Sequence, residues 1–299
     1  MIIPEYLKQG DKIGILSPAS KVDPEVVLPA IKLLEEMGFE VVTGDHLFAQ
    51  YHQFAGKDKD RKHDLQAMLD EPHLKAIICS RGGYGTIRTI QQIDWTRFKK
   101  NPKWMVGFSD VTVLHAQLNQ FRIASVHGVM PRYFLKDNQP SSSFETLRKA
   151  ITGELLEYPI TPSPFNKNGK AAGELVGGNL SILYSLRGTP YDIDTTDKIL
   201  FIEDLAEYLY HLDRILMNLK LGGQLSKLKG LIVGGFSEMK DNETTFGKNV
   251  EEIVLDIVSE YDYPVVFNFP AGHQPDNFAL KMGCTAHLEV TEKSVLFKQ

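Results

Sequence analysis

Apolar runs too short for a helix and without alternation are best explained as strands covered on both faces. The first half of this chain repeats such runs. Lys75 to Cys79 (Lys-Ala-Ile-Ile-Cys) is the plainest, and Lys12 to Leu16, Phe39 to Val42, Trp104 to Val106 and Ala124 to Val126 are others. Stretches with helical spacing lie between them. Val26, Val27, Ala30, Leu33, Leu34 and Met37 form one, with Gly38 at the C-cap position. A charged helix is expected from Asp60 to Leu69, and further helices at about 86–93 and 110–120. Strand–helix alternation with unalternating strands predicts a parallel sheet with helices on both faces.

The pattern changes after the first half. Ser142 and Glu145 have capping-box spacing and open a helix that runs to about Thr152. Tyr158 to Lys170 carries three prolines among polar residues and reads as a linker. Beyond it, strands are expected at about 171–176, 198–202, 230–234 and 264–268. Helices are expected to open near Gly178 and to cover about 207–220 and 248–260. Ala286 to Val290 and Ser294 to Phe297 alternate polar and apolar residues, as antiparallel strands do. The expected organisation is a parallel α/β domain of flavodoxin or Rossmann type over residues 1–152, a linker over 153–170, and a smaller, β-rich mixed α/β domain over 171–299. A length of 299 residues accommodates two such domains.

Charge and cysteine content narrow the function classes. Thirty-three Lys and Arg stand against 38 Asp and Glu, so no basic excess points to nucleic acid. Two cysteines cannot build a disulfide framework, which fits a reducing compartment. The start of the chain lacks a signal-peptide pattern, and no apolar run reaches the roughly 18 residues of a membrane helix. A cytoplasmic protein without membrane or nucleic-acid partners is expected.

In open parallel sheets the chemistry gathers at the carboxyl ends of strands. Four such ends are polar or glycine-rich: Ser17 to Ser20, Ser80 to Gly85, Gly107 to Asp110, and Val126 to Gly128. The glycine loop lacks the dinucleotide spacing, since Arg88 stands where a third glycine would be, and it has no P-loop lysine. It fits close backbone approach with exposed N–H donors, and equally a plain tight turn. Ser109 has the strand-to-helix placement of a nucleophile elbow, although Val111 replaces its second glycine. The same placement suits an ordinary N-cap.

A serine needs a base, and a base needs an orienting group. Of nine histidines, His273 lies in a Gly- and Pro-bounded polar loop after an apolar strand; His127 also follows a strand, and His115 falls within the helix after Ser109. Glu203 and Asp204 end the strand Phe201-Ile202, with Asp204 suited to capping and Glu203 to holding an imidazole. No metal-ligand spacing is present, and Cys79 beside the glycine loop reads as a buried hydrophobe. No metal and no cofactor are expected.

In their order, these segments resemble the LD-carboxypeptidase family of serine peptidases, which includes muramoyltetrapeptide carboxypeptidases and microcin C immunity proteins. The matching pieces are Ile15 to Ser20, Arg81 to Gly85, Gly107 to Asp110, Gly177 to Leu180, Phe201 to Asp204, Tyr210 with Asp213 and Arg214, and Gly272-His273. The resemblance implies a Ser109–Glu203–His273 triad, with the backbone N–H groups of Gly83 and Asp110 as oxyanion hole. It also implies an active site between two domains, and a homodimer. Release of terminal D-alanine from murein tetrapeptides is the activity it implies first. Hydrolysis of peptidyl-adenylates of the microcin C type is the alternative within the family. Arg81, Gly82, and Gly178 with Asn179 at a helix start are candidates to hold the substrate. A non-catalytic small-molecule binding module on the same scaffold is the reading from another class.

Overall fold

In a computed structural model describing residues 1–299, the run Leu74–Cys79 is an interior strand of a six-stranded sheet. The order across that sheet is Leu280–Met282, Ser125–His127, Trp104–Gly107, Leu74–Cys79, Lys12–Leu16, Glu40–Thr43. The pairings among its first five chain-order strands are all parallel. The unalternating runs are strands because both of their faces are covered: Ile13, Ile15, Ile77, Ile78, Met105 and Val106 are fully buried. The helix Pro24–Glu36 supplies Val27, Ala30, Leu33 and Leu34 to the core, the face its spacing predicted.

The chain leaves Lys12–Leu16 toward Glu40–Thr43 on one side, then crosses back to Leu74–Cys79 on the other. That reversal places the loops after Leu16 and Cys79 side by side at the carboxyl ends of their strands, where open α/β sheets form a crevice. Ser17 and Ser80 open these loops, and their hydroxyls are 2.5 Å apart.

Two compact units make up the chain: Met1–Glu154 with Phe278–Lys281, and Leu155–Asn277 with Met282–Gln299. The second unit holds a seven-stranded mixed sheet, ordered Val265–Val266, Gly230–Ser237, Ile199–Leu205, Gly169–Asn179, Thr285–Val290, Val295–Lys298, Glu157–Ile160. Gly169–Asn179 joins its two halves. Its later residues pair in parallel with Ile199–Leu205, and its earlier ones antiparallel with Thr285–Val290. Helices Leu209–Leu221 and Val250–Val258 bury Leu212, Ile215, Leu216, Ile253, Val254 and Ile257.

Four expectations need correction. The stretch 153–170 is not only a connection, since Glu157–Ile160 is the edge strand of the second sheet, paired antiparallel with Val295–Lys298. Its Pro159 is tolerated because an edge strand has one row of N–H groups without a ladder partner. Residues 278–281 lie within 171–299 yet belong to the first unit, whose sheet they extend. The N-cap of helix Ser142–Thr152 is Ser141, whose Oγ accepts from Phe144 N–H at 3.0 Å; Glu145 pairs instead with Arg148. Finally, Gly178 lies inside a strand, and the helix that follows spans Leu180–Ser185 with Asn179 as its cap.

Candidate active site

Ser109 follows the strand Trp104–Gly107 and opens a 3-10 turn that leads into helix Thr112–Gln120. Its φ is +64°, a left-handed conformation that costs a non-glycine residue on the order of 1–3 kcal/mol. The capping reading fails here: helix Thr112–Gln120 is entered through Val111, and the 3-10 turn through Phe108. Ser109 is thus a strained residue on a sharp turn, half-buried among buried neighbours. That is the geometry of a nucleophile elbow.

The glycine loop lies against this turn. A Cβ on Gly82 would stand 2.8 Å from Ser109 Cβ, 3.0 Å from its Oγ and 3.3 Å from Asp110 N. Gly83 has φ +99°, and a Cβ there would meet Ser20 Oγ at 2.1 Å. Ser20 N–H in turn donates to Gly82 O at 3.1 Å. Only bare backbone fits, as a loop whose N–H groups face a reacting atom requires. Asp110 is buried, and its Oδ2 accepts from Thr86 N–H at 2.9 Å. Burial pushes its pKa up, opposed by the hydrogen bonds from Thr86.

Neither nearby histidine is placed as a general base. His115 is buried, with Nδ1 2.8 Å from Ser125 Oγ and Nε2 2.8 Å from Gly107 O. Burial lowers its pKa to about 4. His127 is fully buried at its strand end, its ring against Phe108 at 5.9 Å. Cys79 is fully buried, and desolvation holds its thiol far above the ordinary range, so it is not a nucleophile.

In the second unit, Glu203 is fully buried on strand Ile199–Leu205, and His273 stands above it. Glu203 Oε2 accepts from His273 Nδ1 at 2.6 Å and from His273 N–H at 3.1 Å. Oε2 already accepts the backbone N–H and serves the ring as an acceptor too, so Nδ1 carries the proton and, in the neutral ring, Nε2 presents a lone pair. Burial works to lower the His273 pKa, but the hydrogen bond and charge of Glu203, together with the charges of Asp204 and Glu238, outweigh it, and the net shift is upward.

What brings the histidine loop to the carboxylate is a pair of glycines that the sequence reading passed over. Pairing between Ile199–Leu205 and Gly230–Ser237 slips after Ile202, so that one intervening residue, Glu203, lies opposite two, Gly234 and Gly235. Such bulges re-aim side chains. A Cβ on Gly234 would stand 2.4 Å from Ala271 O, and one on Gly272 would stand 2.6 Å from Glu203 Cβ. Ser237 Oγ donates to His273 O at 2.6 Å, and Gly272 N–H donates to Asn277 Oδ1 at 2.8 Å. Gln274 Nε2 donates to Phe269 O at 2.6 Å. A Gly-Gly pair closing an apolar strand was the available signal.

Asp204 has the capping role expected of it, though for the helix after the neighbouring strand. Its Oδ2 accepts from Ser181 N–H and Oγ at 2.9 and 2.8 Å, and its Oδ1 from Asn179 Nδ2 at 3.0 Å. Desolvation raises its pKa to about 6. Ile182 N–H donates to Asn179 Oδ1 at 3.1 Å. The start of this helix therefore has its acceptors within the fold, which removes the reason for assigning a substrate carboxylate to Gly178 and Asn179. Arg81 is exposed and donates through Nη1 to Lys21 O at 2.9 Å.

One group of side chains has donor atoms close enough for a cation: those of Asp45, His63 and Asp64 lie within 4.8 Å of one another. They are engaged otherwise. His63 pairs with Asp45 at 3.3 Å, and Asp64 accepts from His46 N–H and Nδ1, both at 2.8 Å. No helix is long and apolar enough to cross a membrane.

Residues 13–128 match the family model described as the LD-carboxypeptidase N-terminal domain, and residues 172–288 match the one described as the LD-carboxypeptidase C-terminal domain. A Bacillus subtilis protein named probable murein peptide carboxypeptidase is 35% identical over 303 residues, covering 99% of this chain and 94% of the relative. The crystal structure of a muramoyltetrapeptide carboxypeptidase from Oxalobacter formigenes is 29% identical, with a TM-score of 0.87 over 96% of this chain and 98% of that one. The wild-type microcin C7 self immunity protein also has a TM-score of 0.87, over 100% of this chain and 99% of that one. At 18% identity that likeness shows the fold alone.

Proposed function

The chain belongs to the LD-carboxypeptidase family, and from that premise we propose that it releases terminal D-alanine from murein tetrapeptides by acyl transfer through Ser109. The observation that carries the reading is the 2.6 Å hydrogen bond between His273 Nδ1 and the buried Glu203 carboxylate. An imidazole held by one nitrogen on a buried carboxylate is a base of fixed tautomer.

In this reading Ser109 Oγ attacks the carbonyl carbon of the penultimate residue while His273 Nε2 takes the hydroxyl proton. Glu203 stabilises the imidazolium that results. The N–H groups of Gly83 and Asp110 face the oxyanion, and each such donor contributes roughly 3–4 kcal/mol in comparable hydrolases. The tetrahedral intermediate collapses with cleavage of the C–N bond, and His273 donates the proton to the departing amine of D-alanine. Water, deprotonated by the same imidazole, then hydrolyses the ester and restores Ser109. Arg81 is the cation proposed for the terminal carboxylate.

The peptidyl-adenylate alternative asks for an aromatic face to stack on adenine. Trp104 is fully buried and Trp95 nearly so, both within the core of the first unit, so neither tryptophan offers one. We place the working enzyme in the cytoplasm as a homodimer, a state that light scattering on the purified chain tests. The decisive assay measures D-alanine release from murein tetrapeptide by wild type and by Ser109→Ala, alongside hydrolysis of a peptidyl-adenylate. Turnover of the adenylate without D-alanine release selects the alternative. Inactivity toward both leaves the non-catalytic binding module.

A further inference from the structure

Gly107, two residues before Ser109, has φ +156°, and its carbonyl is gripped twice. Gly128 N–H donates to Gly107 O at 3.2 Å from the neighbouring strand end. His115 Nε2 lies 2.8 Å from the same oxygen. A carbonyl can only accept, so Nε2 carries the proton, and Nδ1 must accept from the Ser125 hydroxyl 2.8 Å away. Both ring nitrogens are thus used, in one tautomer, by a side chain only 2% exposed. His115 belongs to helix Thr112–Gln120, which the turn at Ser109 leads into. The hydrogen bond therefore runs from that helix back to the end of the preceding strand and closes the turn as a loop.

We propose that His115 is a positioning residue, whose Nε2–H, aligned by Ser125, locks the Gly107 carbonyl and so holds Ser109 Oγ at its point of attack. The inference rests on the reading of Ser109 as nucleophile. Its physical basis is the strain at Ser109, because a left-handed serine keeps its conformation only where its surroundings over-determine it. Burial keeps the ring neutral at neutral pH, so His115 acts as a fixed donor and never as the base. A displacement of the nucleophile by about 1 Å costs on the order of 10²-fold in rate.

Two substitutions separate the two bonds. In His115→Gln the amide nitrogen falls near the position of Nε2 and can reach Gly107 O. In His115→Asn the shorter amide falls near Nδ1 and can reach Ser125 alone. The measurements are the kcat and KM of D-alanine release and the rate at which a fluorophosphonate probe labels the serine, on variants shown to be folded by circular dichroism. Expected are a roughly 10–100-fold lower kcat and labelling rate for His115→Asn with KM within about threefold, and recovery of most of that loss in His115→Gln. Equal rates in the two variants, whether both unchanged or both reduced alike, overturn the proposal. So does a loss carried by KM alone. Ser109→Ala distinguishes the parent reading: if it is labelled at the wild-type rate, the nucleophile assignment fails and this inference with it. If Ser109→Ala is silent while His115→Asn behaves as wild type, only the role of His115 is lost.

Discussion

Asp110 Oδ2 accepts the backbone N–H of Thr86 at 2.9 Å, which ties the residue after Ser109 to the turn that ends the glycine loop. The two N–H groups proposed as oxyanion donors, those of Gly83 and Asp110, are thereby braced against each other by a buried side chain. Asp110→Ala removes the acceptor and leaves Thr86 N–H buried and unpaired, at a cost of about 1–3 kcal/mol. Both the unfolding midpoint in urea and the kcat of D-alanine release should fall. A variant with wild-type stability and rate contradicts the brace.

Ser109→Ala keeps the backbone turn and removes only the hydroxyl. D-alanine release should drop by about 10⁴-fold or more while the melting temperature stays near that of wild type. Turnover within tenfold of wild type takes Ser109 out of the chemistry.

Space beside the nucleophile is reserved for backbone. In Gly82→Ala the new methyl carbon would stand 2.8 Å from Ser109 Cβ, so the loop and the serine cannot keep their places. The expected result is a fall in kcat of about 10²-fold or more, read by D-alanine release. Gly272→Ala should be worse, because φ is +101° there and the methyl carbon would stand 2.6 Å from Glu203 Cβ. It is expected to lose both activity and thermal stability.

Dependence on pH follows from the His273–Glu203 pair. The folded pKa of His273 lies above its ordinary 6.5, so the ring remains protonated, and unable to act as a base, to a higher pH than usual. The acid limb of kcat/KM should therefore fall above 6.5. Glu203→Gln removes the neighbour that raises it most and leaves burial, which lowers it, opposed only by the smaller effects of Asp204 and Glu238. The limb should move to lower pH while kcat falls by at least about 10²-fold. A limb that stays in place in Glu203→Gln shows that another group titrates.

The same shift has a stability consequence of defined sign. Because the folded state holds the His273 proton more tightly, the pair's contribution is fully present below the ordinary pKa of 6.5. It disappears as pH rises through the higher folded value. Urea unfolding of wild type and Glu203→Gln from pH 5 to pH 9 should show a gap that narrows with rising pH.

What the chain determines by itself is local. Unalternating runs such as Leu74–Cys79 are strands because their side chains leave no polar face. Helix faces such as Val27, Ala30, Leu33 and Leu34 follow from a period of 3.6, and the polar strand ends follow from where those runs stop. Ser109 could be placed on a strand-to-helix turn for the same reason. Ser141, one residue before the expected cap, was missed because serines at 141, 142 and 143 all fit the pattern and one hydrogen bond decides among them.

Only the tertiary structure decided the rest. His273 and Glu203 are 70 positions apart, and the bulge at Gly234 and Gly235 that lets them meet is a matter of strand register, which no local period encodes. Glu157–Ile160 becomes a strand because a later strand offers it an edge, and residues 278–281 return to the first unit because its sheet has one to extend. His115 and His273 are the same residue type in sequence. Burial pushes the first down to about 4, and a buried carboxylate 70 positions away holds the second up. Periodicity is a property of adjacent residues; burial and charge pairing belong to residues that only folding brings together.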